Sequence, residues 1–275
     1  MFYGRPSSGV TRRRRPPAAL ETAWRHLLQF LLPSPCLGCH ETVWESADSL
    51  GLCRRCRRRL VRWPRDGCAA CGRCLDAAHP PPGYRCGRCR ERPPPYDRLV
   101  STWRYQPPLD EVLTGFKFRR LDYLGTQLGR ALARIHRDEL GECGVVVPVP
   151  LYWTRHLRRG FNQAALIARP LARALELPLV AALVRRRPTP HQSRLGRRQR
   201  RRNLDRAFAV RRGGVLTPPT RKDVARALAA RCVLLVDDVT TTGATLEAAA
   251  ACLKEAGAGR VVALTAARTP ALLHE

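Results

Sequence analysis

Asp237 and Asp238 stand together at the end of the apolar run Val233–Val236, and Thr240, Thr241, Thr242, Gly243, Ala244 and Thr245 follow with only Val239 between. Two adjacent carboxylates can accept hydrogen bonds from a pair of neighbouring hydroxyls, which is what a ribose presents. They repel a phosphate. The segment behind them does the opposite, because loop amides that lead into a helix N-terminus form an anion site. The threonine hydroxyls add donors, and Gly243 lets the backbone come close to a ligand. Acids for a diol beside a loop for a phosphate describe a ribose 5-phosphate, and such acids also help to hold magnesium indirectly.

Thiols make the second reactive set. Cys36/Cys39, Cys53/Cys56, Cys68/Cys71 and Cys86/Cys89 are four Cys-x-x-Cys pairs. Each turn puts two thiolates on one side of a tight loop, and two turns complete a tetrahedral sulfur site for zinc. Chain order favours Cys36/Cys39 with Cys53/Cys56, and Cys68/Cys71 with Cys86/Cys89. An interleaved pairing, or a single zinc with the other thiols free, fits the same spacing, so one or two Zn2+ are expected. Cys74 breaks the pair pattern, and Cys143, Cys232 and Cys252 lie in apolar stretches that read as core. A chain with 12 cysteines grouped in this way belongs in a reducing compartment, and a cytoplasmic location is expected.

An α/β framework must position these groups. Leu99–Tyr105, Val145–Pro150, Leu179–Val184, Val233–Asp237 and Val261–Ala266 read as strands. Leu109–Phe118, Leu121–His136, Phe161–Leu175 and Ala244–Glu255 read as helices between them. Strands alternating with helices predict a mostly parallel sheet flanked by helices, with ligands bound beyond the carboxyl ends of the strands. No membrane span is expected: the apolar stretch Leu27–Leu32 is interrupted by Gln29 and is far short of the ~20 residues a spanning helix needs.

Charge narrows the class of partner. Fifty Lys and Arg residues against 22 Asp and Glu give a net charge of +28, which favours nucleic acid, phosphorylated metabolites or an acidic partner. Arginines between Arg54 and Arg65, with Trp44, Trp63 and Tyr84 nearby, suit single-stranded nucleic acid. The stretch Arg185–Arg202 carries no acid. It reads either as a loop that closes over the site or as an arm that holds nucleic acid electrostatically.

The strand, acidic pair and threonine loop resemble the phosphoribosyl pyrophosphate (PRPP) motif of type I phosphoribosyltransferases. Taken with the four Cys pairs and the run VPVPLYWTRHLRRGFNQA (Val147–Ala164), the chain is similar to the ComF (competence protein F) family. A basic leader over residues 1–24, expected to be disordered, goes beyond the pattern. The resemblance implies a helix and cysteine-rich zinc module over 25–95, and a phosphoribosyltransferase-like domain over 96–275. It implies that Asp237 and Asp238 hold the ribose hydroxyls, and that Thr240, Thr241, Thr242, Gly243, Ala244 and Thr245 cradle the 5-phosphate. Pro150, Leu151, Arg155, Arg158, Arg159 and Arg202 become candidates for the pyrophosphate. PRPP and Mg2+ are the implied ligands. Natural competence is the implied process, with single-stranded DNA and a helicase-like ATPase as partners. No residue identifies an acceptor. A transferase, a non-catalytic PRPP sensor and a DNA-binding component of the uptake machinery all remain consistent with the residues.

Overall fold

The computed structural model of the chain describes residues 34–43, 49–74, 80–119, 121–154, 160–187, 207–211, 221–229 and 231–270. The expected leader therefore lies outside the described residues, as do Arg155, Arg158, Arg159, Arg202 and most of the arginine-rich stretch.

The cysteine-rich segment holds a short antiparallel pair, β1 (Ser34–Pro35) and β2 (Thr42–Val43), and two one-turn helices, α1 (Arg54–Arg58) and α2 (Gly87–Glu91). The chain then runs through β3 (Arg98–Arg104), α3 (Leu109–Phe118), α4 (Tyr123–Leu140), β4 (Val145–Pro148) and α5 (Gln163–Ala174). It continues through β5 (Leu183–Arg185), β6 (Phe208–Val210), α6 (Arg221–Leu228), β7 (Cys232–Thr240), α7 (Ala244–Glu255) and β8 (Arg260–Arg268).

Four strands form one parallel sheet in the order β3–β8–β7–β4. Val233–Val236 are wholly buried, as expected for a parallel strand covered on both faces, where an unbroken apolar run replaces alternation. Side chains still alternate between the faces. Leu234 and Val236 pack with α3, α4 and α5, whereas Val233 and Leu235 pack with α6, α7 and the second group of cysteines. Each of these buried side chains contributes roughly 2 kcal/mol. Gly129 fixes the contact between α4 and α5, since a Cβ there would lie 2.3 Å from the Ile167 carbonyl oxygen. The cysteine segment covers the outer edge of β3: Trp63 N donates to Thr102 O at 2.9 Å and Leu99 N to Ala70 O at 2.8 Å. An exposed sheet edge is thereby paired within the chain.

One expected strand changes. Leu179–Val184 is not a strand of the main sheet: Leu179 forms a single bridge to Val146, and the paired residues are Leu183–Arg185, antiparallel to β6. Neither β6 nor α6 is legible in the sequence. The first is three residues long, and the second buries only Val224 and Leu228 among charged neighbours. Among the described residues, no helix is long and apolar enough to cross a membrane.

Candidate functional site

The acidic pair lies within a strand, not just past the end of one. β7 was expected to stop at Asp237, but it runs to Thr240 because β8 keeps pairing with it, Asp237 opposite Thr265 and Thr240 opposite Arg268. On its other side the neighbour stops early, with Pro148 opposite Val236 the last pair of β4. Val149 N still donates to Val236 O at 2.9 Å, and the chain turns away through Pro150 and Leu151. The carboxylates thus stand where one edge of β7 has lost its partner, at the carboxyl end of the sheet. Ligands of open α/β folds bind at such ends.

Alternation sends the two acids to opposite faces. Asp238 follows Leu234 and Val236 toward α3, where Lys117 Nζ sits 2.9 Å from its Oδ2. Burial works to lower the Lys117 pKa, but Asp238, then Asp237 and Tyr105, hold it above its ordinary value. Asp237 follows Val233 and Leu235. Burial and then the charge of Asp238 push its carboxyl up to about 8, against the Asp238 amide and the cations Lys117 and Arg185, which pull it down. Asp237 Oδ1 accepts from Asp238 N at 2.9 Å, and Asp238 Oδ1 accepts from Val239 N at 2.7 Å. Both carboxyl groups are held by their own backbone. Arg185, on β5, also stacks its guanidinium 5.4 Å from the centre of the Phe208 ring.

The loop after β7 turns directly into a helix. Gly243 is the N-cap of α7 with φ +83°, a left-handed conformation that glycine adopts without strain. Thr242 Oγ1 accepts weakly from Ala244 N at 3.4 Å. Thr241 is exposed, and Thr242 and Thr245 are partly exposed. Thr240 stands apart from them: it is 4% exposed and its carbonyl accepts from Thr269 N at 3.0 Å, so its side chain is part of the strand. Asn162 is an N-cap. Its Oδ1 accepts from Ala164 N at 3.1 Å and its Nδ2 donates to Val149 O at 3.0 Å, which ties α5 to the loop after β4.

Magnesium fits this donor set only as an ion shared with a ligand. Asp237 Oδ1 and both oxygens of Asp238 are engaged by the contacts above. A cation that keeps several waters and takes one carboxylate alongside phosphate oxygens suits what remains.

The thiols gather in the order the chain suggests. Cys36, Cys39, Cys53 and Cys56 have sulfurs within 4.8 Å of one another, and Cys68, Cys71, Cys86 and Cys89 do likewise. Backbone amides point at the sulfurs, with Cys53 N to Cys36 Sγ at 3.2 Å and Cys86 N to Cys68 Sγ at 3.3 Å. Burial works to raise both thiols, but these and neighbouring amides outweigh it, bringing Cys36 down to about 7 and Cys68 to about 6. Sets of four thiols with amide-stabilised thiolates fit tetrahedral zinc, and two such sets fit two ions. Cys74 lies outside both clusters, its backbone bridged to Gly67. Cys143 is buried in the core and Cys232 packs against it, their sulfurs 3.5 Å apart.

Reading the sequence did not find Lys117 as a member of the site. The signal was there, since Lys117 is one of three lysines among 50 basic residues, and a compact ammonium suits a single carboxylate oxygen. Tyr96, Arg88, Glu247 and Arg268 were missed as well. Arg268 donates to Cys71 O, and its guanidinium lies 5.1 Å from the Trp63 ring centre.

Comparison with known proteins adds to this geometry. Residues 162–274 match the model of the phosphoribosyl transferase domain, and residues 27–94 match that of the double zinc ribbon domain. The chain is 36% identical over 225 residues to the DNA utilization protein YhgH of Escherichia coli O157:H7, covering 80% of this chain and 91% of that protein. It is 34% identical over 217 residues to competence protein F of Haemophilus influenzae, covering 75% and 86% respectively. It is 29% identical over 215 residues to competence protein ComFC of Bacillus subtilis, covering 75% and 79%.

Proposed function

This chain belongs to the competence protein F family, and from that premise we propose that it binds PRPP with Mg2+ at the carboxyl end of β7 and transfers the phosphoribosyl group to an acceptor. One observation supports the reading: the acidic pair near the end of β7 is followed within five residues by the left-handed Gly243 turn that starts α7. In this reading Asp237 and Asp238 take the ribose hydroxyls, and the amides and hydroxyls of Thr241–Thr245 take the 5-phosphate. The loop at Pro150 and Leu151, with Arg155, Arg158, Arg159 and Arg202, takes the pyrophosphate.

The chemistry asks the chain for placement and charge more than for bond-making groups. As the bond from C1 of the ribose to pyrophosphate lengthens, positive charge grows on the sugar and negative charge on the leaving group. Asp237 and Asp238 fix the ring and lie on the side of the positive charge. The arginines are assigned to the negative one. Magnesium, when bound, neutralises pyrophosphate oxygens. Lys117 partly cancels the charge of Asp238, and Asp237 holds its proton up to about pH 8 in the ligand-free chain, so that the pair does not drive the ligand's own charge away.

The process follows from the relatives. Proteins named for DNA utilization and competence resemble this chain over most of its length, and we place it in the handling of incoming DNA in the cytoplasm. The excess of positive charge supports a second reading, in which the same protein holds single-stranded DNA and PRPP is a signal, not a substrate. The test is pyrophosphate release from PRPP by zinc-loaded protein with Mg2+, with and without single-stranded DNA. Release that exceeds spontaneous hydrolysis and is lost in Asp237→Asn/Asp238→Asn supports the transferase. Retention of intact PRPP by the protein favours the sensor.

A further inference from the structure

The second cysteine cluster sits directly behind the loop that starts α7. α2 begins after Cys86 and contains Cys89. Arg88, between these two ligands, pairs with Glu247 in the first turn of α7, and the side chains are 24% and 12% exposed. Glu247 N donates to Gly243 O at 2.9 Å. Tyr96, itself buried, brings its hydroxyl against the same turn: a Cβ added at Gly243 would lie 3.4 Å from Tyr96 Oη and 4.0 Å from Glu247 Oε1. Cys68, Cys71, Cys86 and Cys89 share one apolar cluster with Tyr96, Ala244 and Leu246. Cys36 and Cys56 of the first cluster pack instead with Leu109 and Leu113 of α3.

We propose that the second zinc ribbon positions the phosphate loop, with Arg88 as the positioning residue. Its ligand role for the loop rests on the PRPP reading above; the mechanical link does not. The physical reasoning has two parts. A five-residue helix has no stability of its own, so α2 holds its shape through the ligands at its N-cap, Cys86, and in its middle, Cys89, and a metal bound there fixes where Arg88 points. Arg88 in turn does two things to Glu247. It holds the first turn of α7 in place, and it cancels a carboxylate that would otherwise stand at the edge of an anion seat. An acid in the first turn favours the helix dipole but repels a bound phosphate.

This coupling separates from a merely structural role by charge. Arg88→Met should leave two zinc ions per chain and weaken ribose 5-phosphate binding about tenfold. Adding Glu247→Gln to Arg88→Met should recover part of that loss, because the uncompensated charge goes with it. Hydrogen exchange of the full, zinc-loaded chain gives a readout that needs no ligand. Amides of 240–247 should exchange faster in Arg88→Met, and also in Cys89→Ser, which loses one zinc. In Cys53→Ser, which loses the other zinc, they should keep wild-type rates. Wild-type exchange rates at 240–247 in both Arg88→Met and Cys89→Ser would overturn the proposal. So would equal weakening of binding in Arg88→Met and in the double variant. Faster loop exchange in a protein whose wild type binds no ribose 5-phosphate would leave the positioning claim standing and remove the PRPP reading.

Discussion

Asp237 should make the ligand-free protein less stable than it could be, and the cost should depend on pH. Its folded-state carboxyl is pushed up to about 8 from an ordinary value of 3.8, by burial and then by Asp238. Below about pH 4 both folded and unfolded chains carry the proton, and the group has no effect on stability. Between about pH 4 and 8 the folded chain keeps a proton that the unfolded chain releases, so stability falls as pH rises through this window. Above about pH 8 the loss is complete. Full linkage is about 1.4 kcal/mol per pH unit, and because the side chain is partly exposed we take roughly half of it. Asp237→Asn keeps the acceptor for the Asp238 amide, bonded at 2.9 Å, and removes the charge. It should stabilise the zinc-loaded protein by roughly 1 kcal/mol at pH 5.5 and roughly 2–3 kcal/mol at pH 8. Urea unfolding across that range measures it. A variant less stable than wild type at pH 8, or a difference that does not change with pH, would refute the reasoning. A gain in stability from removing an acid of the site is the usual trade between function and stability.

Other perturbations follow from the same geometry. Lys117→Met leaves Asp238 without its 2.9 Å partner; it should cost roughly 1–3 kcal/mol, and Lys117→Arg should not restore the loss in full because the fork does not match a point contact. Thermal unfolding of the three proteins checks it. Gly243→Ala forces a side chain into φ +83°, and should cost about 1 kcal/mol while weakening phosphate binding, read by calorimetry with inorganic phosphate. Zinc released by a thiol-blocking reagent should amount to two ions per chain, and Cys68→Ser should release one; a single ion from wild type would contradict the two clusters of four thiols.

Much of the framework could be read in advance because its signals are local. Val233–Val236 is an unbroken apolar run, and α3 and α7 have the bounds their patterns predict. The cysteine clusters follow chain order, the first Cys-x-x-Cys turn meeting the second and the third meeting the fourth. What escaped was set by contacts between distant segments. Val239 and Thr240 favour strands by type, but the two aspartates interrupt the pattern; pairing with β8 holds the whole segment in the sheet. Lys117 is a polar residue at the end of an amphipathic helix until β7 brings Asp238 to it. Arg88 and Glu247 are 159 residues apart, and nothing in either neighbourhood points to the other. Arg185 was legible as charge only. Its place beside Asp237 depends on the antiparallel pairing of β5 and β6, and the sequence around β6 gives no sign of that pairing.

The identity of the ligand rests most directly on a calorimetric titration of the zinc-loaded protein with PRPP in the presence of Mg2+, run beside Asp237→Asn/Asp238→Asn. Saturable binding by wild type at one site per chain, lost in the double variant while both zinc ions remain, is the predicted result. Absence of binding by wild type, or equal binding by the variant, would contradict a ribosyl phosphate site at the end of β7.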